Sequence, residues 1–185
     1  MEIKKIFIAG AGLMGSGIAQ VSAATGYQVL LWDINEDLLA KAIKNMENAL
    51  QKRIDKGKMT PHQKEEILGN IETVTDLAEA SQAQLVIEAV LENIEIKSDL
   101  FKKLDQICPP ETIFASNTSA LPISSLANAV ERPDRFIGLH FFSPVPVMKL
   151  VEIVKGLKTS AQTFEISKAF IAHIGKTGIK VKDTP

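Results

Sequence analysis

Apolar residues follow two periods along this chain, and the two periods take turns. Short apolar runs at residues 6–9, 27–33, 71–75, 83–89, 112–115, 136–142, 148–154 and 178–182 have the length and β-branched content of strands. Between them lie stretches with helical spacing. Leu13, Ile18, Val21 and Ala24 are predicted to share one helix face, with the small residues Gly17, Ala19 and Ala23 among them, and Leu39, Ala42, Ile43, Met46, Ala49, Leu50 and Ile54 another. Further helices are predicted over 61–68, 94–106 and from Thr159 or Ser160 to Ile174. Strands alternating with helices predict an α/β fold. The arrangement is a doubly wound, Rossmann-type, mainly parallel sheet with helices on both faces. The helices at 36–56 and 61–68, separated by Gly57 and Thr60-Pro61, read as a helical hairpin inserted into that topology. The short connection between 136–142 and 148–154 predicts an antiparallel edge, which brings Glu152 near His140.

The first strand breaks into Gly10-x-Gly12-x-x-Gly15 and then a helix. That context presents unpaired backbone N–H groups and the positive end of a helix dipole to a pyrophosphate. Gly10 permits the turn, Gly12 lets phosphates approach the backbone, and Gly15 lets helix and strand pack closely. Asp33 ends the second strand 18 residues beyond Gly15, where this fold places a carboxylate on the adenine ribose. Ile34 and Asn35 offer no cation for a 2′-phosphate, so NAD is expected over NADP. Asn35, with Glu36 and Asp37, supplies a cap for the next helix without Asp33.

Strand ends collect the other candidates. Glu92, Asn117 and Ser119 follow the runs at 83–89 and 112–115 and point to one crevice, although each is also a residue type that caps helices. A histidine oriented by a carboxylate works as a base near neutral pH, which makes His140 and Glu152 a candidate pair. A satisfied core histidine is the alternative. Lys41, Lys44, Lys52, Arg53, Lys56 and Lys58 form a basic arm, either a solvated helix face or a contact for a phosphate-rich substrate. His62 and His173 read as ordinary helix residues.

Composition narrows the class. The 185 residues are 23% charged and 45% hydrophobic with a net charge of −1, which suits one globular domain and gives no cause to expect a nucleic-acid or membrane partner. The single Cys108 excludes an internal disulfide and reads as a small buried hydrophobe. No metal site is expected. No apolar run spans a bilayer, and Met-Glu-Ile-Lys-Lys entering a strand directly is expected to carry no signal peptide, so a cytoplasmic location is expected. Lys182-Asp183-Thr184-Pro185 ends without a closing element, as a cut chain would.

Five segments in order, 10–19 (GAGLMGSGIA), 87–93 (IEAVLEN), 115–119 (ASNTS), 140–152 (HFFSPVPVMKLVE) and 182–185 (KDTP), resemble the L-3-hydroxyacyl-CoA dehydrogenase family, in particular its short-chain, 3-hydroxybutyryl-CoA branch. The resemblance spans the chain. It implies an NAD-binding domain over 1–185, followed in the family by a helical domain that forms a homodimer and is absent here. It implies that Gly10, Gly12, Leu13, Met14 and Gly15 hold the pyrophosphate and that Asp33 holds the ribose. Glu92, Lys97 and Asn117 would sit near the nicotinamide half. Ser119 would bind the substrate oxygen, His140 would take the hydroxyl proton, Glu152 would orient it, and Lys52 and Lys56 would meet the CoA phosphates. The implied reaction is reversible oxidation of an L-3-hydroxyacyl-CoA to a 3-oxoacyl-CoA. The alternatives are a module that binds NAD with little turnover, or a relative acting on small hydroxy or sugar acids. Ser143 stands where many relatives have Asn, and the family's active-site Asn follows Asp-Thr-Pro, beyond this chain.

Overall fold

The computed structural model describes residues 2–184; Met1 and Pro185, the ends of two segments singled out above, lie outside the described residues. Eight strands form one sheet: β1 (Lys5–Ala9), β2 (Gln28–Trp32), β3 (Ile71–Val74), β4 (Leu85–Glu88), β5 (Ile113–Ser116), β6 (Phe136–Phe141), β7 (Leu150–Lys155) and β8 (Thr177–Lys182). Their order is β3-β2-β1-β4-β5-β6-β7-β8. The first six are parallel, β7 runs antiparallel to β6, and β8 is parallel to β7. The predicted antiparallel edge is therefore two strands wide. The chain leaves β1 in one direction for β2 and β3 and in the other for β4 to β6, so the switch point lies between β1 and β4.

Helices cover both faces: α1 (Leu13–Ala23), α2 (Glu36–Asp55), α3 (Pro61–Gly69), α4 (Ile94–Ile107), α5 (Ile123–Leu126) and α6 (Ala161–His173). Successive strand side chains point to opposite faces, and β1 shows the division. Ile6 and Ile8 join Ile18 of α1, Leu50 of α2 and Phe170 of α6, whereas Phe7 and Ala9 join Phe101 and Leu104 of α4 and Leu126 of α5. Each fully buried Leu, Ile or Phe contributes roughly 1.5–3 kcal/mol of transfer free energy, and burial against both faces holds the sheet between its helices.

The inserted hairpin forms as predicted. Asn35 caps α2 by accepting from Asp37 N–H, and Thr60 and Gln63 close a reciprocal capping box on α3. Ser160, rather than Thr159, caps α6; the Thr159 hydroxyl donates to Phe136 O instead. Cys108 is buried as expected, with burial pushing its thiol up to about 12.

The predicted face of α1 needs correction. Leu13 is 75% exposed and Ala24 is exposed, while Gly15, Gly17, Ile18, Ala19, Ser22 and Ala23 are buried. Ile18 and the expected small residues set this helix's packing, and Leu13 and Ala24 fall outside the buried face. A Cβ on Gly15 would overlap the carbonyl oxygen of Gly10, and one on Gly17 would lie 2.8 Å from Val145 Cβ. The segment after β6 thus folds over α1 at van der Waals contact. Lys176 fixes that segment by donating to Val145 O at 2.6 Å and Met148 O at 2.7 Å. Short helical elements lie where none is predicted, among them α5 and a 3-10 turn at Leu77–Gln82. Both are shorter than the window over which helical periodicity becomes visible.

Candidate active site

The carboxyl ends of β1, β4, β5 and β6 open into one crevice of about 370 Å³, lined by Met14, Ala89, Val90, Glu92, Asn117, Ser119, His140, Phe141, Phe142 and Ser143. Met14 joins it to the adjacent glycine loop. Gly10 has φ +110°, a conformation that glycine adopts without strain, and its N–H donates to Trp32 O at 2.8 Å. Gly12 stands at the N-cap of α1, offers no side chain, and is followed by a first turn that holds no acid. The first N–H groups of a helix have no intrahelical partner, so this end carries donors and positive dipole with no acid in its own first turn to meet them. A Cβ added at Gly12 would meet nothing within 4 Å.

Asp33 lies at the end of β2, where the spacing placed it. Its Oδ2 accepts from Ala11 N–H at 2.9 Å and its Oδ1 from Asn35 N–H at 3.1 Å, so the carboxylate ties the strand end to the glycine loop. Each oxygen keeps a further lone pair for a hydroxyl donor.

The opposite wall is made of side chains. In the β6–β7 register His140 faces Glu152, and Nδ1 lies 2.9 Å from Glu152 Oε2. The short antiparallel connection seen in the sequence accounts for this contact. With Nδ1 engaged, Nε2 is the ring atom left to the crevice, and Phe142 lies against the ring at 4.6 Å between centroids. Asn117 Oδ1 accepts from Phe141 N–H at 2.9 Å, which fastens the end of β5 to β6 beside the histidine. Ser119 is exposed and lines the crevice, and its N–H donates to Glu92 Oε1 at 3.1 Å.

Behind Glu92 lies a cluster that the sequence reading did not assemble. Glu88 and Lys97 are 0% and 1% exposed. Glu88 Oε1 accepts from Lys97 Nζ at 2.6 Å and from Val90 N–H at 2.7 Å, and its Oε2 accepts from Ser116 Oγ at 2.6 Å. Lys97 Nζ also meets Glu92 Oε2 at 3.0 Å, and Glu92 Oε1 takes the Thr118 hydroxyl. Burial pushes the Glu92 carboxyl up. The Thr118 and Lys97 hydrogen bonds, the Lys97 charge and the Ser119 amide outweigh that and hold it below the ordinary value. Glu92 and Lys97 were named from the sequence; Glu88, Ser116 and Thr118 were not. The available signal was an acid closing an apolar strand, Leu-Val-Ile-Glu, with a lysine nine residues on.

Lys52, in the last turn of α2, and Lys56, its C-cap residue, are exposed and do not line the crevice. His62 is exposed beside Glu66, while His173 packs edge-on against Tyr27 at 5.1 Å. Among the described residues, no three His, Cys, Asp or Glu side chains group as a metal site, and no helix is long and apolar enough to cross a membrane.

Residues 5–184 match the family described as 3-hydroxyacyl-CoA dehydrogenase, NAD binding domain. The chain belongs to that family. It is 46% identical over 185 residues to a probable 3-hydroxybutyryl-CoA dehydrogenase of Bacillus subtilis, covering 100% of this chain and 64% of that protein. It is 50% identical over 190 residues to the mitochondrial hydroxyacyl-coenzyme A dehydrogenase of Homo sapiens, covering 99% of this chain and 60% of that one. It matches the crystal structure of 3-hydroxybutyryl-CoA dehydrogenase from Escherichia coli K12 with a TM-score of 0.98 at 40% identity, over 100% of this chain and 39% of that chain. The chain thus spans about 60–64% of the length of the two curated relatives. NAD is the cofactor of this 3-hydroxyacyl-CoA dehydrogenase domain. The open space at Gly12, the acid-free first turn of α1 and Asp33 at the end of β2 fit it.

Proposed function

We propose that this domain supplies the NAD site and the proton-transfer pair of an L-3-hydroxyacyl-CoA dehydrogenase, with 3-hydroxybutyryl-CoA as the substrate suggested by the names of its relatives. The observation that carries the reading is the His140–Glu152 pair, 2.9 Å apart, in one crevice with Ser119 at the cofactor switch point.

In this reading NAD supplies the acceptor for the hydride that leaves C3 of the substrate. His140 Nε2 takes the proton of the 3-hydroxyl as that carbon becomes a carbonyl, and the charge so formed on the imidazole is stabilised by Glu152 at Nδ1. Ser119 Oγ donates to the reacting oxygen, and Glu92 keeps Ser119 in place through its amide. In reverse, the imidazolium returns the proton to the carbonyl oxygen. Gly10, Gly12, Leu13, Met14 and Gly15 hold the pyrophosphate and Asp33 the ribose, while Glu92 and Asn117 border the nicotinamide half and the buried Lys97, expected there from the resemblance, acts only through Glu92. Lys52 and Lys56 would act on the CoA phosphates from α2, outside the crevice. The single cysteine, buried and unpaired, suits a reducing compartment.

A second reading is an NAD-binding module with little turnover of its own. The uncovered apolar side chains of Leu91 and Val147, 74% and 71% exposed, favour it. Mixing the purified chain with NADH and acetoacetyl-CoA separates the two. Acetoacetyl-CoA-dependent NADH oxidation, slowed by about 10²–10⁴-fold in His140→Gln, supports the dehydrogenase reading. NADH binding without oxidation favours the module, and a His140→Gln variant as fast as the parent removes the histidine from the chemistry.

A further inference from the structure

The Lys182-Asp183-Thr184 segment has no part in the chemistry above, yet one of its side chains reaches the start of α5 across 60 residues of sequence. Asp183 follows β8 directly, and its carboxylate straddles the start of α5. Oδ1 accepts from Ile123 N–H and Oδ2 from Ser124 N–H, both at 2.8 Å. Pro122 occupies the cap position of α5 and has no acceptor in its side chain, so this helix depends on a cap brought from elsewhere. A carboxylate is the strongest acceptor for that purpose, because it meets both the free N–H groups and the dipole.

α5 is also seated on the ladder that presents the proton-transfer pair. A Cβ added at Gly138 would fall 2.8 Å from Ile123 Cδ1, and one at Gly156 would fall 3.2 Å from Ile123 Cγ2. Gly138 pairs with Val154, two residues along from His140 and Glu152 in the same register. At its other end the loop before α5 is held by Asn117 on Phe141 N–H and by Glu92 on Thr118 and Ser119. Thr118 Oγ accepts from Leu121 N–H at 2.9 Å, which folds the short stretch between. Ser119 is therefore suspended between two carboxylates, Glu92 before it and Asp183 after it.

We infer that Asp183 is a positioning residue, a latch from the end of β8 onto α5 that keeps Ser119 in register with His140. The inference rests on the reading of Ser119 as the ligand of the substrate oxygen. Amide hydrogen exchange on the chain itself tests the latch without turnover. Asp183→Ala frees the Ile123 and Ser124 amides in any case. The latch further requires exchange of the Ser119 amide, held by Glu92, to rise at least about tenfold, with β1 and β4 unchanged. Affinity for acetoacetyl-CoA should fall about tenfold while NADH binding stays within about twofold, since small displacements of a substrate ligand are costly. Asp183→Asn keeps one acceptor and should recover part of both effects; it carries the same readouts if Asp183→Ala does not fold. Exchange confined to Ile123 and Ser124, with Ser119 still protected, makes Asp183 a local cap and overturns the latch. Ser119→Ala keeps the two readings apart. If it leaves acetoacetyl-CoA affinity and turnover unmoved while Asp183→Ala still frees the Ser119 amide, the latch stands and the substrate role of Ser119 falls.

Discussion

The two walls of the crevice are built in opposite ways. The cofactor wall is backbone: Gly10 to Gly15 form six consecutive residues whose working atoms are N–H groups, with Asp33 joined at Ala11. The substrate wall is side chains drawn from four segments. Its fastenings join residues 12 apart at His140–Glu152, 24 at Asn117–Phe141, 26 at Glu92–Thr118 and 60 at Asp183–Ile123. A backbone wall is intolerant of added atoms, because a side chain takes the space in which helix, strand or ligand must sit. A side-chain wall is intolerant of lost partners, because each fastening lies in or near a buried interior where an orphaned polar group is costly. The same kind of change should therefore act differently on the two sides.

The largest expected effect is on the side-chain wall. Lys97→Met leaves the Glu88 carboxylate 0% exposed with its cation gone, and breaking a buried pair by removing one partner costs about 3–5 kcal/mol. Urea denaturation followed by circular dichroism measures it. A loss below about 1 kcal/mol would mean that Ser116 and Val90 N–H satisfy Glu88 alone and that the cluster does not anchor the wall.

On the backbone wall the same measurement should separate two glycines three residues apart. Gly15→Ala drives a Cβ into the Gly10 carbonyl, so it should cost about 1–3 kcal/mol, as overpacking does. Gly12→Ala meets nothing within 4 Å, and Gly12 has φ −68° and ψ −170°, extended backbone open to alanine. It should cost less than about 1 kcal/mol of stability and yet weaken NADH binding at least about tenfold, the worth of one lost charge-assisted hydrogen bond. If Gly12→Ala binds NADH like the parent, the pyrophosphate does not lie against that residue.

This division also accounts for what the sequence could and could not convey. The doubly wound sheet, the hairpin and the glycine loop were legible, since strand and helix periods and a Gly10-x-Gly12-x-x-Gly15 turn are local patterns. His140–Glu152 was legible because only eight residues separate β6 from β7, so register followed from the short connection. Glu88 with Lys97 and Asp183 with α5 were not. An acid closing an apolar strand with a lysine nine residues on is the one local mark of the first pair and does not by itself join them, and a cap that arrives from 60 residues away leaves no trace at Pro122. The exposed position of Leu13 was misread for a related reason. Its helical spacing fits the apolar face, but α1 packs through Ile18 and its small residues and leaves Leu13 exposed.

The finest test concerns how far the substrate wall depends on charge as well as shape. Glu92 has its carboxyl held below its ordinary value of 4.5 despite partial burial, through Thr118, Lys97 and the Ser119 amide. A carboxyl whose folded value is depressed contributes stability that is fully present above its unfolded value and is lost as pH falls through the folded one. The stability difference between the parent and Glu92→Gln should therefore be constant from neutral pH down to about 4.5 and shrink below that, as the parent takes up the proton that the variant cannot. The effect is the smallest of the series, because Glu92 is 41% exposed and solvent screens it. Unfolding curves of both proteins across that range measure it. A difference that widens on acidification would mean that Glu92 binds its partners better when neutral. Shape alone would then hold Ser119, and the contrast between the walls would reduce to the contrast between glycines and packing.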